Sequence, residues 1–267
     1  MATTAELATF LESTLNIPTG DAFISSQYET DLLNLAYQKT AYRYNWPHMI
    51  KRGATVLAAN VNRYTLPTNW RKFDFVYAQG QMLQEVALED IPFSPYGYAV
   101  DVATSEIILS QRPTTASTAY TTSNGETAAA SVVVELDTVS GLSAGDEVFV
   151  NGTTTPEISQ IQSVDTAAVT ITIKLTTNTT AGDKIYLLNQ VLYYGFYRTV
   201  DALSGTVALL PSAAHLIIAY YAAYLYFKKL EDDARAKINL EIWDDELKDV
   251  WLAFDKVSSG ASNEFSV

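Results

Sequence analysis

The sequence predicts an α+β chain: a helical bundle of about four helices drawn from both ends, a β segment, and an inserted small all-β domain, a barrel or a sandwich. Three observations carry this. Apolar residues recur at helical spacing near both termini. Residues 114–190 hold no tryptophan, three aromatics (Tyr120, Phe149, Tyr186) and seventeen threonines, whereas each flank carries two tryptophans and the two flanks together hold fifteen of the seventeen tyrosines. Turn residues punctuate that middle stretch at short, regular intervals, as in small all-β domains. The expected organisation is a core of 1–113 with 191–257, an inserted β domain at 114–190, and a flexible tail at 258–267.

A first helix is expected over about Thr4–Leu15, striped by Leu7, Phe10, Leu11 and Leu15 and ended by Pro18-Thr-Gly20. A second runs to Asn45. Ser26 and Glu29 match a Ser-x-x-Glu capping box, and Leu33, Tyr37, Ala41 and Tyr44 form its apolar face. Pro47 lacks an amide donor and forces Trp46 out of the helical region, which stops the helix. Extended structure follows. Tyr64-Thr-Leu66 precedes a Pro-Thr-Asn turn, and Phe73, Phe75 and Tyr77 alternate with Lys72, Asp74 and Val76.

In the middle, strands are expected at Val132–Leu136, Glu147–Val150, Ile158–Val164, Val169–Leu175 and Lys184–Leu188. Ala144-Gly-Asp-Glu-Val-Phe-Val150 echoes Ala181-Gly-Asp-Lys-Ile-Tyr-Leu187, each a Gly-Asp turn feeding a strand. Another strand opens the third stretch at Val191–Tyr197. The run Ala213–Phe227 is apolar nearly all round, so as a helix it must be covered on every side, and it is too short to span a bilayer comfortably. Lys228-Lys229 suits its C-terminal end and Asp232-Asp233 the start of the next helix. There Ala236, Leu240, Trp243, Leu247, Val250, Phe254 and Val257 recur at about 3.5 residues, a seam for antiparallel packing on 212–231.

Composition narrows the chemistry. Cysteine is absent, which excludes disulfides, zinc–thiolate sites and cysteine nucleophiles. No Lys or Arg precedes Lys39, so the start lacks the basic region of a secretory signal, and a cytoplasmic product is expected. The net charge of −13 repels nucleic acid at long range. Neither His48 nor His215 has a carboxylate at metal-ligand spacing, and packed or capping roles suit both. No phosphate-binding glycine loop or nucleophile elbow occurs. Asp137, Asp146, Asp165 and Asp183 are turn formers, without the spacing of a calcium loop. No catalytic, cofactor-binding or metal-binding residue is assigned, and no enzymatic activity is expected. The one basic concentration, Lys51, Arg52, Arg63, Arg71 and Lys72, is a candidate contact for an acidic partner surface or for DNA in a channel. Tyr37, Tyr44, Trp46, Tyr220, Tyr224, Trp243, Leu247, Val250 and Phe254 are expected in helix packing or a subunit interface.

A tyrosine-rich helix ending in Asn-Trp-Pro, then Arg63-Tyr-Thr-Leu-Pro-Thr-Asn-Trp-Arg-Lys-Phe-Asp-Phe75, then a β excursion, then Leu210-Pro-Ser-Ala-Ala-His-Leu-Ile-Ile-Ala-Tyr-Tyr-Ala-Ala-Tyr224 and a long acidic helix resembles the head–tail adaptor (connector) proteins of tailed bacteriophages. The resemblance covers 1–113 and 191–267 and rests on packing motifs. It implies a virion protein at the head–tail junction, forming a homo-oligomeric ring, usually of twelve. The portal protein would lie above and a tail or second adaptor protein below, with double-stranded DNA passing without specific binding and no membrane involved. Helices near 22–45, 212–231 and 233–257 would build the wall, and Asn263, Glu264, Phe265 and Val267 would dock on the portal. Two other classes fit less well: a tail or baseplate binding module whose β insertion grips fibres or a host glycan, and a cell-wall hydrolase, for which no motif exists.

Overall fold

A computed structural model describes residues 2–17, 25–152, 156–203 and 210–261, with the side chains of the last helix described to Phe254. The chain divides into two compact units, Met1–Met49 with Thr199–Val267, and Ile50–Arg198. The boundary falls at the ends of two paired strands rather than at the compositional breaks near 113 and 190.

The first unit is helical: α1 (Thr4–Leu15), α2 (Ser26–Arg43), α3 (Ile217–Lys229) and α4 (Asp233–Ala261). The expected α1 span is the observed one, and Leu7, Leu11 and Leu15 are its buried stripe. A capping box does occur in this unit, at Thr3 and Glu6: the Thr3 side chain accepts from the Glu6 amide, and Glu6 accepts from the Thr3 amide at 2.7 Å. Asn16, in the left-handed region at φ 59°, ends the helix.

Ser25 caps α2, accepting from the Tyr28 amide at 3.2 Å, so the expected Ser26–Glu29 box does not form. Glu29 instead carries a buried oxygen without a hydrogen-bond partner among the described residues. Burial, and then the Glu12 charge, push its carboxyl pKa up. The helix ends at Arg43, with Tyr44 already extended. The apolar run begins as a 3-10 turn at Ser212–Ala214 and continues as α3, which packs against α1, α2 and α4 and is thereby covered. Asp232 starts α4 by accepting from the Arg235 amide at 3.1 Å. The helix continues past Val257 to Ala261, so the expected tail begins in helical backbone.

The second unit overturns the expected dominance of a helical bundle. Fourteen strands in three sheets occur among the described residues, and the chain is a β-rich mixed protein. One sheet has the order β1 (Ile50–Thr55), β14 (Leu192–Arg198), β3 (Trp70–Ala78), β4 (Gln81–Met82), all antiparallel. Another has the order β2 (Arg63–Thr65), β7 (Glu106–Leu109), β6 (Gly97–Asp101), β5 (Gln84–Glu85), with β5 and β6 parallel. Phe73, Val76, Leu192, Tyr194 and Phe196 of the first share a core with Tyr64, Tyr98, Ile107 and Leu109 of the second, so the two sheets form a sandwich. Tyr64, Phe73 and Tyr98 are thus buried in a sheet core shared with β14, not in a helical one. Aromatic content alone does not separate such a core from a helical one, because tyrosine and phenylalanine suit both.

The third sheet has the order β8 (Tyr120–Thr121), β13 (Lys184–Leu187), β10 (Glu147–Asn151), β11 (Glu157–Asp165), β12 (Thr170–Ile173), β9 (Val132–Glu135). Its two outer strands meet. Thr122 bridges Leu136, the Asp137 amide donates to the Thr121 carbonyl at 2.9 Å, and the Ser123 amide donates to the Glu135 carbonyl at 2.9 Å. One bridge and its flanking backbone hydrogen bonds thus join the two ends of the sheet and curl it into a small barrel-like domain. Val132, Val134, Val148, Val150, Ile161, Ile171, Ile173 and Ile185 fill it from alternate positions.

Candidate functional site

In the helical unit the predicted packing residues converge around the end of α2. Thr40 is fully buried, and its hydroxyl donates to the Ala36 carbonyl at 2.8 Å while accepting from Trp243 Nε1 at 3.0 Å. Trp46 is also fully buried, with Nε1 donating to the Thr40 carbonyl at 3.4 Å. Its indole meets Trp251 edge-on at 5.4 Å and Phe254 at 6.3 Å. Tyr44 stacks on Trp251 at 5.1 Å with the planes 2° apart. Arg43 bridges to Asp244 at 2.6 Å and lies 5.9 Å from the ring centres of both Tyr44 and Trp243. The proline stop thus does more than end a helix: it turns Trp46 back onto α4.

Tyr37, Trp243 and Leu247 are buried, and Val250 and Phe254 are half-buried. Tyr220 and Tyr224 are half-buried, Tyr220 meeting Phe10 at 5.6 Å and Tyr224 meeting Tyr221 at 5.2 Å. Tyr221 and Trp251 belong to the same aromatic set and lie off the 3.5-residue seam, which is why periodicity passed over them. Asn263, Glu264, Phe265 and Val267 lie outside the described residues.

His215 has a packing role. It is buried, its Nδ1 accepts from the Ala2 amide at 2.9 Å, and its Nε2 donates to the Leu210 carbonyl at 2.9 Å. Those two partners define the neutral Nε2–H tautomer and tie the beginning of the chain to the approach to α3.

In the β unit four of the five predicted basic residues stand on β1 and β3 of one sheet, and the fifth stands on another sheet. Lys51 and Arg52 start β1, opposite Phe196 and Gly195 of β14. Lys72 of β3 lies opposite Tyr197. The Tyr197 ring is flanked by Lys72 Nζ at 5.0 Å and the Arg71 guanidinium at 5.6 Å, and its hydroxyl donates to Asp74 at 3.3 Å. Burial, then the Asp74 carboxylate, push the Tyr197 phenol pKa up, so it remains a neutral donor. Arg63 stands on β2 in the other sheet, paired with Glu106 at 2.8 Å. Arg198 ends β14, the strand between β1 and β3, opposite Trp70. Arg198 Nε and Trp70 Nε1 are both buried without a hydrogen-bond partner among the described residues. Sequence proximity included Arg63 and missed Arg198, because strand order, not chain order, builds this end of the sheet.

Among the described residues no group of three or more His, Asp or Glu is arranged to hold a metal ion. No described helix is long and apolar enough to cross a membrane. The chain matches no protein-family model, and no curated protein matches it.

Proposed function

We propose that the protein is a structural virion component, a head–tail adaptor that forms a ring beneath the portal, joins capsid to tail and lines the DNA path without acting as an enzyme. The carrying observation is the helical unit's outer surface. Leu35, Leu216, Leu230, Ile238 and Leu252 are exposed there, with Leu230 at 55% and Ile238 at 56%. Scattered exposed leucines are ordinary on a monomer, but five such apolar residues on α2, at the two ends of α3 and on α4 suit burial against neighbouring copies. The resemblance of residues 1–113 and 191–267 to phage adaptors supports the same reading. In the ring the basic sheet end with Lys51, Arg52, Arg71 and Lys72 meets an acidic partner surface or passing DNA, and an acceptor from that partner would satisfy Arg198. The acidic balance of the rest keeps DNA from sticking. Asn263, Glu264, Phe265 and Val267 reach the portal.

The test is assembly. Mixed with the portal protein of the same phage, the purified chain should give rings in negative-stain micrographs, and Ile238→Asp should abolish them while leaving the helical circular-dichroism signal intact. A wild-type chain that stays monomeric and ignores the portal would sink the proposal.

A further inference from the structure

On the face of the β1–β14–β3–β4 sheet turned away from the sandwich core lies a cleft of about 620 Å³, within the range of roughly 300–1,000 Å³ usual for small-ligand sites. One wall is aromatic. Tyr193 of β14 lies opposite Tyr77 of β3, and Gly195 lies opposite Phe75. The Phe75 ring lies over Gly195, where an added Cβ would meet it at 2.5 Å, so the glycine is what lets that ring lie across the strand. The ring centres are 5.2 Å (Phe75–Tyr193), 5.8 Å (Phe75–Tyr77) and 6.3 Å (Tyr77–Tyr193) apart. All three rings are only half-buried.

The other wall is the barrel turn bearing Asp146 and Glu147, with Asn189 from a 3-10 turn beside them. Among the described residues the Tyr77 and Tyr193 hydroxyls, the Glu147 carboxylate and the Asn189 amide have no hydrogen-bond partner, and Asp146 commits one carboxylate oxygen, to the Ser143 amide at 2.8 Å. Gly80 (φ 77°) and Gly145 (φ 95°) leave the rims without side chains, and a Cβ on Gly145 would meet nothing within 4 Å.

We propose that this cleft binds a carbohydrate, its aromatic wall taking the C–H face of a pyranose ring while Asp146, Glu147 and Asn189 take the hydroxyls. The donor and acceptor inventory selects this class. Phenols and a carboxamide both give and receive hydrogen bonds, and carboxylates receive them, which matches hydroxyls that do both. A cation would use only the acceptors and waste the amide and phenol donors, and Arg52, in one register row with Gly195 and Phe75, opposes it. A phosphate would face two carboxylates. A wholly apolar ligand would desolvate five polar groups without return. The inference goes beyond ring assembly and does not depend on it.

The experiment is saturation-transfer-difference NMR on the full chain with maltose, cellobiose, lactose and chitobiose, with arginine amide and inorganic phosphate as comparison probes. Transfer to the ring C–H protons of at least one disaccharide is expected. Tyr77→Ala should weaken that binding about ten-fold, the loss of one stacking contact. Asn189→Ala should weaken it about five-fold, the loss of one net hydrogen bond. Asn189 is exposed on a turn, so its variant keeps the test open if Tyr77→Ala misfolds. Silence from all four sugars, binding unchanged in both variants, or a cleft that takes arginine amide or phosphate while refusing every sugar would each overturn the proposal.

Discussion

The turns Ala144-Gly-Asp146 and Ala181-Gly-Asp183 start alike and end differently. Gly145 and Gly182 sit at φ 95° and 93°, and each following aspartate accepts from the amide three residues back, Ser143 and Thr180, at 2.8 Å. The strands they launch, β10 and β13, are antiparallel neighbours with Phe149 opposite Tyr186. Asp183 is then buried: it also accepts from the Thr180 hydroxyl at 3.0 Å, and its carbonyl accepts from the Thr122 amide at 2.9 Å. Asp146 is half-exposed and faces the cleft. The next residues diverge as well. Lys184 donates to the Thr121 hydroxyl at 2.7 Å, whereas Glu147 engages no described side chain. One local turn code therefore serves two ends, a sealed structural joint and an open wall with acceptors to spare.

The sharpest way to break this comparison is to remove the two carboxylates in turn. Asp183→Ala removes the buried acceptor of the Thr180 amide and hydroxyl and should cost roughly 2 kcal/mol, whereas Asp146→Ala should cost less than about 1 kcal/mol. Urea midpoints read at constant slope check both, and equal losses would erase the distinction. The glycines should behave oppositely, as a matched pair. A Cβ meets nothing within 4 Å at either position, so Gly145→Ala and Gly182→Ala should each cost roughly 1–2 kcal/mol through backbone strain alone. Unequal costs would show that the turns differ locally after all.

The smallest effect concerns a third aspartate, at the seam that closes the barrel. Asp137 accepts from the Thr121 amide at 2.9 Å, and that hydrogen bond, first among its causes, holds the carboxyl below the usual aspartate range. A depressed folded-state pKa gives stability that is present above the unfolded value of about 3.9 and is lost as pH falls through the folded one. Asp137→Asn should therefore lower stability near neutral pH and leave it little changed at about pH 3, which flattens the acid limb of a stability–pH profile. A profile of unchanged slope would remove Asp137 from the seam.

What the sequence made legible follows from period and length. The barrel strands are alternating or short apolar runs between turns, so five of the six are legible in the sequence; β8, two residues long, has no period to read. The same brevity hid β4 and β5, while β6 and β7, five and four residues long, were passed over although they build most of the second sheet. Capping motifs misled for a different reason. Thr3-x-x-Glu6 and Ser26-x-x-Glu29 look equivalent in sequence, but α2 starts one residue early on Ser25, so Ser26 is already helical and Glu29 is one place past the capping-box position. The dominance of helices was over-read because tyrosine-rich segments on either side of the barrel looked like one bundle, although 50–109 form sheets. The candidate site was half legible. Lys51, Arg52, Arg71 and Lys72 share one sheet, and Arg198 of β14 stands beside Trp70 only through the β3–β14 pairing, for which no local pattern exists.

That pairing extends to β1, where Ile50 lies opposite Tyr197, so the strand that begins the β unit runs beside the strand that ends it. Its two chain termini are therefore neighbours, which makes residues 50–198 a cassette. Excised, it should tolerate circular permutation through a short linker between Arg198 and Ile50. Removed, it leaves a gap that a few residues can close. Whatever the β unit binds could thus be exchanged between proteins without redesigning the helices that carry it.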